Sequence, residues 1–231
     1  MNCVIYFSCT GNSGKVAEDI ASKTQFNLIE LTKTNYDNIL NESYGTAVIV
    51  FPVHCQSYPA FIKRLFKNIN AENVALAATY GKANAGNAVY EAAKLLTARI
   101  TAAAYIPAGH NYLCWYSSPA DVPYSFIDKI FKPSPVTIPK RKKTPFAGFL
   151  PAMRSRLIVK IWRTDKCENC NLCGASCPYG AIERGKTNKK CQRCLKCVAN
   201  CPFGALKFTR ARILTRYLNK TKFDETILYL E

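Results

Sequence analysis

Apolar residues in the first half of the chain alternate between two spacings. Residues 3–7, Cys-Val-Ile-Tyr-Phe, form a short continuous apolar run of the kind found in a strand buried on both faces. Val16, Ala17, Ile20 and Ala21 then repeat at helical spacing, which predicts a helix after a polar loop at residues 8–14. Residues 26–31 read as a second strand and residues 46–51 as a third, buried one. Residues 59–69 read as a helix with Phe61, Ile62, Leu65, Phe66 and Ile69 on one face. A strand over 73–79, a helix over 87–100 carrying Val89, Ala92, Leu96 and Ile100, and a strand over 101–106 complete the series. Five strands alternating with helices predict an α/β fold, a doubly wound five-stranded parallel sheet, with the ligand outside the C-terminal strand ends.

Beyond residue 107 the pattern weakens. Ser118 to Asp121 could open a helix with Phe126, Ile127, Ile130 and Phe131 on its apolar face, and Pro133, Pro135 and Pro139 then interrupt regular structure. The run Lys140-Arg141-Lys142-Lys143 reads as a solvated linker. Residues 210–218 look helical, with Ile213, Leu214, Tyr217 and Leu218 inward and Arg212, Arg216 and Lys220 outward, as a structural cap.

The chemistry is densest between Cys167 and Cys201. Cys167, Cys170, Cys173 and Cys177-Pro178 form one C-x2-C-x2-C-x3-C-P run, and Cys191, Cys194, Cys197 and Cys201-Pro202 repeat it with identical spacing. The repeat carries neighbours with it, since Pro178-Tyr179-Gly180-Ala181-Ile182 returns as Pro202-Phe203-Gly204-Ala205-Leu206. Three cysteines two residues apart let one short loop wrap three corners of a cubane while its amides face the sulfurs; in a two-cluster module the fourth cysteine ligates the other cluster. Zinc also uses C-x2-C pairs, but rarely needs a third step and a Cys-Pro in both halves. So many closely spaced thiols without a secretory segment also argue against disulfides. Residues 157–209 resemble a bacterial-type ferredoxin with two [4Fe-4S] clusters. The resemblance implies a small α+β ferredoxin-like domain, one cluster on Cys167, Cys170, Cys173 and Cys201, and a second on Cys191, Cys194, Cys197 and Cys177.

The polar loop after the first strand reads Ser8-Cys9-Thr10-Gly11-Asn12-Ser13-Gly14. Hydroxyls and unpaired amides converge at such a strand-to-helix turn, the helix dipole favours an anion, and glycine allows close backbone approach. Residues 1–110 resemble flavodoxin, which binds the FMN phosphate in a Ser/Thr-x-Thr-Gly-x-Ser/Thr loop; Ser8, Thr10, Gly11, Asn12 and Ser13 match. The resemblance implies two further loops flanking the flavin ring, residues 51–59 with Pro52 and His54, and residues 79–87 with Tyr80 and Gly81. The second matches in its Tyr-Gly and later glycine, and Tyr80 is the candidate to pack against the ring. The first departs from the Pro-Val-Tyr-x-Gly expected there, having His54 and Gln56 and no glycine. His110 reads as structural, Cys3 as a core residue, and Cys9 and Cys55 as inert thiols. As a whole the chain resembles bacterial flavodoxin-like proteins fused to a C-terminal two-cluster ferredoxin, with residues 1–110 as the flavin domain, 111–156 as a basic connecting segment, 157–209 as the cluster domain and 210–231 as a cap.

Charge sharpens this division. The net charge of the 231 residues is +17; residues 1–130 carry 10 basic against 9 acidic residues, and 131–231 carry 22 against 6. The basic half suggests a redox protein partner with an acidic surface, and the mix of Arg154, Arg156 and Lys160 with Phe149, Leu150, Leu157 and Ile158 suggests peripheral contact with an anionic membrane. No base-reading motif points to specific nucleic acid. No apolar run is long enough to span a bilayer and no signal peptide is visible, so the expected location is the cytoplasm. The sequence contains no nucleophile–base pair, carboxylate dyad or P-loop. It supports an electron-transfer protein coupling FMN to two clusters. The alternatives are a flavin-dependent reductase of a small substrate, and an iron-sulfur regulatory protein whose flavodoxin-like domain is empty.

Overall fold

The computed structural model describes residues 1–113, 118–144, 151–220 and 224–231. In chain order its first part runs β1 (Cys3–Tyr6), α1 (Asn12–Thr24), β2 (Asn27–Glu30), α2 (Tyr36–Asn41), β3 (Ser43–Pro52), a 3-10 turn (Ala60–Ile62) leading into α3 (Lys63–Asn68), β4 (Asn70–Tyr80), α4 (Ala88–Ala93), β5 (Arg99–Pro107) and α5 (Tyr124–Phe131). The second part is α6 (Pro151–Ile158), β6 (Val159–Arg163), α7 (Leu172–Ala175), β7 (Ile182–Glu183), β8 (Lys186–Thr187), α8 (Lys196–Ala199), β9 (Leu206–Arg210), α9 (Arg212–Lys220) and β10 (Ile227–Tyr229).

The main sheet has the order β10-β5-β4-β3-β1-β2, with β1 to β5 parallel. The order β2-β1-β3-β4-β5 is that of the flavodoxin-like doubly wound fold. Alternate side chains feed two cores. Val48 and Val50 of β3, with Ala75, Ala77, Ala102 and Ala104 of β4 and β5, meet Val16, Ala17 and Ile20 of α1 and Phe126, Ile127 and Ile130 of α5. The small alanines let those helices lie close to the sheet. Ile49, Phe51, Leu76 and Tyr105 point the other way, toward Tyr36, Ile39, Ile62, Leu65, Phe66 and Val89.

Several expectations are corrected. The sheet gains a sixth strand, because β10 returns from the C-terminus and pairs antiparallel with β5, Leu228 opposite Ala104. The helix expected over 87–100 is only Ala88–Ala93; Arg99 and Ile100 already pair with Asn73 and Val74 of β4, as suits the β-branched pair Ile100-Thr101. Residues 59–69 begin as a 3-10 turn behind Pro59, and α2 was not anticipated. Phe131 and Ile213 are exposed rather than inward, while Leu218 is buried.

The basic run is not a solvated linker. The Val136 amide donates to the Ile100 carbonyl at 3.0 Å and the Thr137 amide to that of Glu231 at 2.9 Å. Asn87 both donates to the Arg141 carbonyl and accepts from the Arg141 amide (2.8 and 2.6 Å), the Thr144 amide donates to Gln56 Oε1 (2.8 Å), and Lys143 pairs with Glu91. Residues 136–144 thus strap the loops that follow β3 and β4. Residues 145–150, including Phe149 and Leu150, lie outside the described residues.

The cysteine-bearing part repeats its own backbone. The ribbon β6-β9 and the hairpin β7-β8 frame two equivalent turns, in which α7 and α8 begin at matching positions of the sequence repeat, Leu172 and Lys196. Asn169 and Asn171 have left-handed backbone (φ 55° and 59°), and so do Arg193 and Leu195 (57° and 65°). Leu195 is fully buried there, so the side-chain strain of that conformation, roughly 1 kcal/mol or more, is tolerated to keep the turn. No helix of the described residues is long and apolar enough to cross a membrane.

Candidate cofactor sites

The fold packs the cysteines of the two runs against one another. Cys167, Cys170, Cys173 and Cys201 border one cavity, closed by Leu172, Phe203 and Leu206. Cys177 packs with Cys191, Cys197, Ile182 and Leu206, and Cys173 and Cys201 lie partly buried against the same cluster. The two Cys-Pro turns are built alike: the Ala181 amide donates to Cys177 Sγ and the Ala205 amide to Cys201 Sγ, both at 3.3 Å. Burial, followed by the neighbouring thiols of Cys194, Cys191, Cys177 and Cys173, pushes the Cys197 thiol up to about 12. Among the described residues no three Cys, His, Asp or Glu side chains form a group that would hold a single metal ion; the thiols border shared apolar spaces instead. Soft thiolate donors, apolar walls and amides aimed at sulfur fit an iron-sulfur cluster.

The second site is a cavity of about 630 Å³ at the C-terminal ends of β1, β3, β4 and β5. That size is typical of a pocket for a cofactor-sized molecule. Ser8, Thr10, Asn12, Ser13, Pro52, His54, Tyr80 and Gly81 all line it. Gly11 stands just behind them as the N-cap of α1, with φ at +97°, and its amide donates to Ser8 Oγ at 3.1 Å. The loop is held from outside: Thr10 Oγ1 donates to Asn111 Oδ1 (2.9 Å), Asn12 Nδ2 to the Gly109 carbonyl (2.9 Å), and the hydroxyls of Ser13 and Thr79 share a bond of 2.7 Å. A rigid loop of hydroxyls at the start of a thirteen-residue helix suits a phosphate group.

The first flanking loop solves its missing glycine another way. His54 and Ser57 exchange backbone hydrogen bonds (2.8 and 2.9 Å), and the two residues between them, Cys55 and Gln56, have φ of 49° and 65°. Two positive φ values inside a two-residue turn usually recruit glycine or asparagine. Here Gln56 is fixed instead: its side chain binds Thr144, and its carbonyl accepts the Asn87 amide at 3.0 Å. Gly86 (φ 63°) makes this possible, because a Cβ there would overlap the Gln56 backbone.

Tyr80 is built into the wall. It is 3% exposed, its hydroxyl donates to the Glu225 carbonyl at 2.6 Å, and its ring stands edge-on to Tyr105. Gly81 is required where it is, since a Cβ would lie 2.6 Å from the His110 ring. His110 is therefore part of the cavity. Burial lowers both His54 and His110 to about 4, helped at His54 by His110 and at His110 by Arg210. Both imidazoles are neutral near pH 7. Cys3 lies in the core, its thiol pushed up to about 12 by burial, whereas Cys55 is exposed with its Sγ 3.7 Å from Ser155 Oγ. Cys114 lies outside the described residues.

Sequence reading missed the far wall of this cavity, which comes from the cysteine-bearing part: Gln192, Arg193 and Cys194, with Leu214, Tyr217 and Leu218 of α9. The two parts are sewn together there. Asn111 Nδ2 donates to the Cys194 carbonyl (3.4 Å), the Tyr112 hydroxyl to the Arg193 carbonyl (2.8 Å), and Lys196 Nζ to the Ser8 carbonyl (3.1 Å). The Cys9 thiol, 3.9 Å from His54 Nε2, lies against the Cys194 thiol. That contact, then burial, pushes Cys9 well up, and the same contact holds Cys194 down at about 7. The only sequence signal for this wall was indirect: one cysteine of the second run, and one of the loop after β1, each sit where chemistry was expected.

Fold and site together define a flavodoxin-like α/β domain joined to a repeated cysteine domain, with a large cavity between them. Residues 160–183 match the family model for a 4Fe-4S binding domain, so the chain carries at least one such domain. Flavodoxin from Streptococcus pneumoniae TIGR4 is similar at 11% identity over 57% of this chain and 92% of its own, with a TM-score of 0.38. A short-chain flavodoxin associated with a non-canonical PDU bacterial microcompartment is similar at 13% identity over 57% and 97%, TM-score 0.40. An NAD(P)H:quinone oxidoreductase from Methanothermobacter marburgensis is similar at 10% identity over 49% and 86%, TM-score 0.30. No curated protein sequence matches the chain.

Proposed function

We propose that this is an electron-transfer protein that couples an FMN, held in the flavodoxin-like domain, to two [4Fe-4S] clusters in the C-terminal domain. The observation that carries the reading is Cys194: a cysteine of the second run lines the same cavity as the phosphate-type loop of residues 8–13. A flavin holds one or two electrons and each cluster passes one, so the pair of cofactors would convert two-electron into one-electron traffic.

The chain's own residues supply placement. Ser8, Thr10, Gly11, Asn12 and Ser13 would hold the phosphate, while the loops carrying Pro52 and His54 and carrying Tyr80 and Gly81 would flank the ring. Cys167, Cys170, Cys173 and Cys201 would hold one cluster, and Cys191, Cys194, Cys197 and Cys177 the other. Leu214 and Leu218 give one side of the cavity an apolar wall. At the far end of the cysteine domain, Cys170, Leu172 and Phe203 are exposed beside the first-run thiols, which offers a docking face for a redox partner. The basic surroundings favour an acidic one.

A second reading, reduction of a small substrate, draws on His54 and His110, two neutral imidazoles on the cavity wall placed to donate a hydrogen bond to a substrate or to accept a proton. Turnover of a reducible organic compound by the purified protein would favour it. The first test is cofactor content after anaerobic purification: about eight irons with matching sulfide and one FMN per chain support the relay. Iron and sulfide without flavin overturn its flavin half, and zinc without sulfide overturns its cluster half.

A further inference from the structure

Lys196 is the first residue of α8 and stands between two cysteines of the second run, Cys194 and Cys197. Its side chain leaves that run and crosses into the flavodoxin-like domain. The ammonium donates to the Ser8 carbonyl and to Glu30 Oε1, each at 3.1 Å, and lies 5.9 Å from the centre of the Phe7 ring. The side chain is 15% exposed, whereas that of Glu30 is 41% exposed. Water therefore screens the carboxylate more than the ammonium, and a net positive field remains behind the residue 8–13 loop. A long flexible side chain is costly to immobilise, and this one is fixed by a carbonyl, a carboxylate and a ring.

We infer that Lys196 is a shared counter-charge, favouring both a phosphate group on the residue 8–13 loop and reduction of the cluster held by the second cysteine run. The inference rests on the relay proposed above. Each site gains negative charge, one when phosphate binds and one when the cluster accepts an electron, and a single cation within reach of both favours each event. The first run offers no charge at the equivalent position, which is Leu172, the first residue of α7, facing outward at 50% exposure.

The test compares Lys196→Met, Lys196→Arg and Glu30→Gln with the parent protein, all purified anaerobically. Midpoint potentials are followed by electron paramagnetic resonance, and FMN affinity by the fluorescence of flavin released on dilution. A Cys170→Ser variant, which disturbs the first cluster, tells the two signals apart. Lys196→Met should move the second-run cluster to more negative potential, leave the first unmoved, and weaken FMN by about fivefold, the size of one partly screened charge contact. Lys196→Arg should restore most of both effects. Glu30→Gln should move both quantities the opposite way, by freeing the ammonium, and it gives an answer even where Lys196→Met folds poorly. Equal shifts in both clusters, or no shift in the second, would overturn the inference while leaving the relay standing. A parent protein without flavin or without a second cluster overturns the relay itself.

Discussion

Replacing Cys201 by alanine tests the exchange of fourth ligands only in combination with a second cysteine, because two different partitions of eight cysteines predict the same loss of metal from the single variant. Cys201 borders the cavity of Cys167, Cys170 and Cys173, and its sulfur receives the Ala205 amide, so its removal takes one of four thiolates from the first-run cluster. Iron should fall from about eight to about four per chain. An unexchanged arrangement gives that number too, through loss of the second-run cluster. Double variants separate them. If Cys201 and Cys167 serve one cluster, Cys201→Ala combined with Cys167→Ala removes nothing more and leaves about four irons, whereas Cys201→Ala with Cys191→Ala leaves about none. The unexchanged arrangement reverses both results. The assay is iron and acid-labile sulfide per folded chain, with far-ultraviolet circular dichroism to show that the flavodoxin-like domain persists. About four irons in the Cys201/Cys191 pair would refute the geometry on which the exchange rests.

Three further outcomes follow from the same geometry. Cys177→Ala should mirror Cys201→Ala, losing the second-run cluster and changing the spectrum of the cavity-lining Cys194 side first; an intact second-run signal with the first lost would contradict the packing of Cys177 against Cys191 and Cys197. Gly86→Ala adds the strain of left-handed backbone to an overlap with the Gln56 carbonyl, and should cost about 2–4 kcal/mol in denaturant unfolding as well as loosening the loop that carries His54; a change under about 0.5 kcal/mol would show that the loop pair is not rigid. His54 and His110 have folded values near 4, below the ordinary 6.5, so between those values the unfolded chain binds more protons and stability rises with pH. Stability should therefore fall as pH drops from about 6.5 toward 4, and His54→Gln with His110→Gln should flatten that part of the profile in anaerobic melts.

Legibility in the sequence followed the range of the contacts involved. Residues 3–7 and 46–51 were visible because a strand buried on both faces must be apolar at nearly every position, and the loop at Ser8 was visible because it sits between such a strand and a helical repeat. The doubled cysteine run was visible because each half uses the same local backbone, down to paired left-handed residues at Asn169 and Arg193. What depended on distant partners was not. Cys55 and Gln56 look wrong for a turn of positive φ until Thr144 and Asn87 are seen to hold Gln56 in place. Lys140 to Lys143 read as solvent-facing charge because composition reports side chains, while the segment is held largely through its backbone by Asn84, Asn87 and Gln56. Tyr80 could be placed beside the cavity, but its hydroxyl partner is Glu225, which no local pattern connects to it.

The most distant of these contacts explains why the cysteine domain has a fixed seat. The chain leaves the flavodoxin-like domain after α5 and the strap of residues 136–144, builds the cluster-type turns, covers the cavity with α9, and returns as β10 on the free edge of β5. Ile227 and Tyr229 join one core and Leu228 and Leu230 the other, while Lys82 pairs with Asp224 at 2.5 Å. Two covalent attachments on the same sheet leave little freedom for the Arg193–Lys196 turn to drift from the Ser8 loop. Ending the chain after Asp224 removes β10, the Glu225 carbonyl from Tyr80, and the Tyr229 hydroxyl from Arg141. The cysteine turns share none of those bonds. The expected result is unchanged iron and sulfide with FMN weakened about tenfold, since opening that wall forfeits two or more hydrogen bonds of roughly 1 kcal/mol each. Loss of iron with flavin retained would mean that β10 supports the cluster domain and that the cavity is closed by the phosphate-side loops alone.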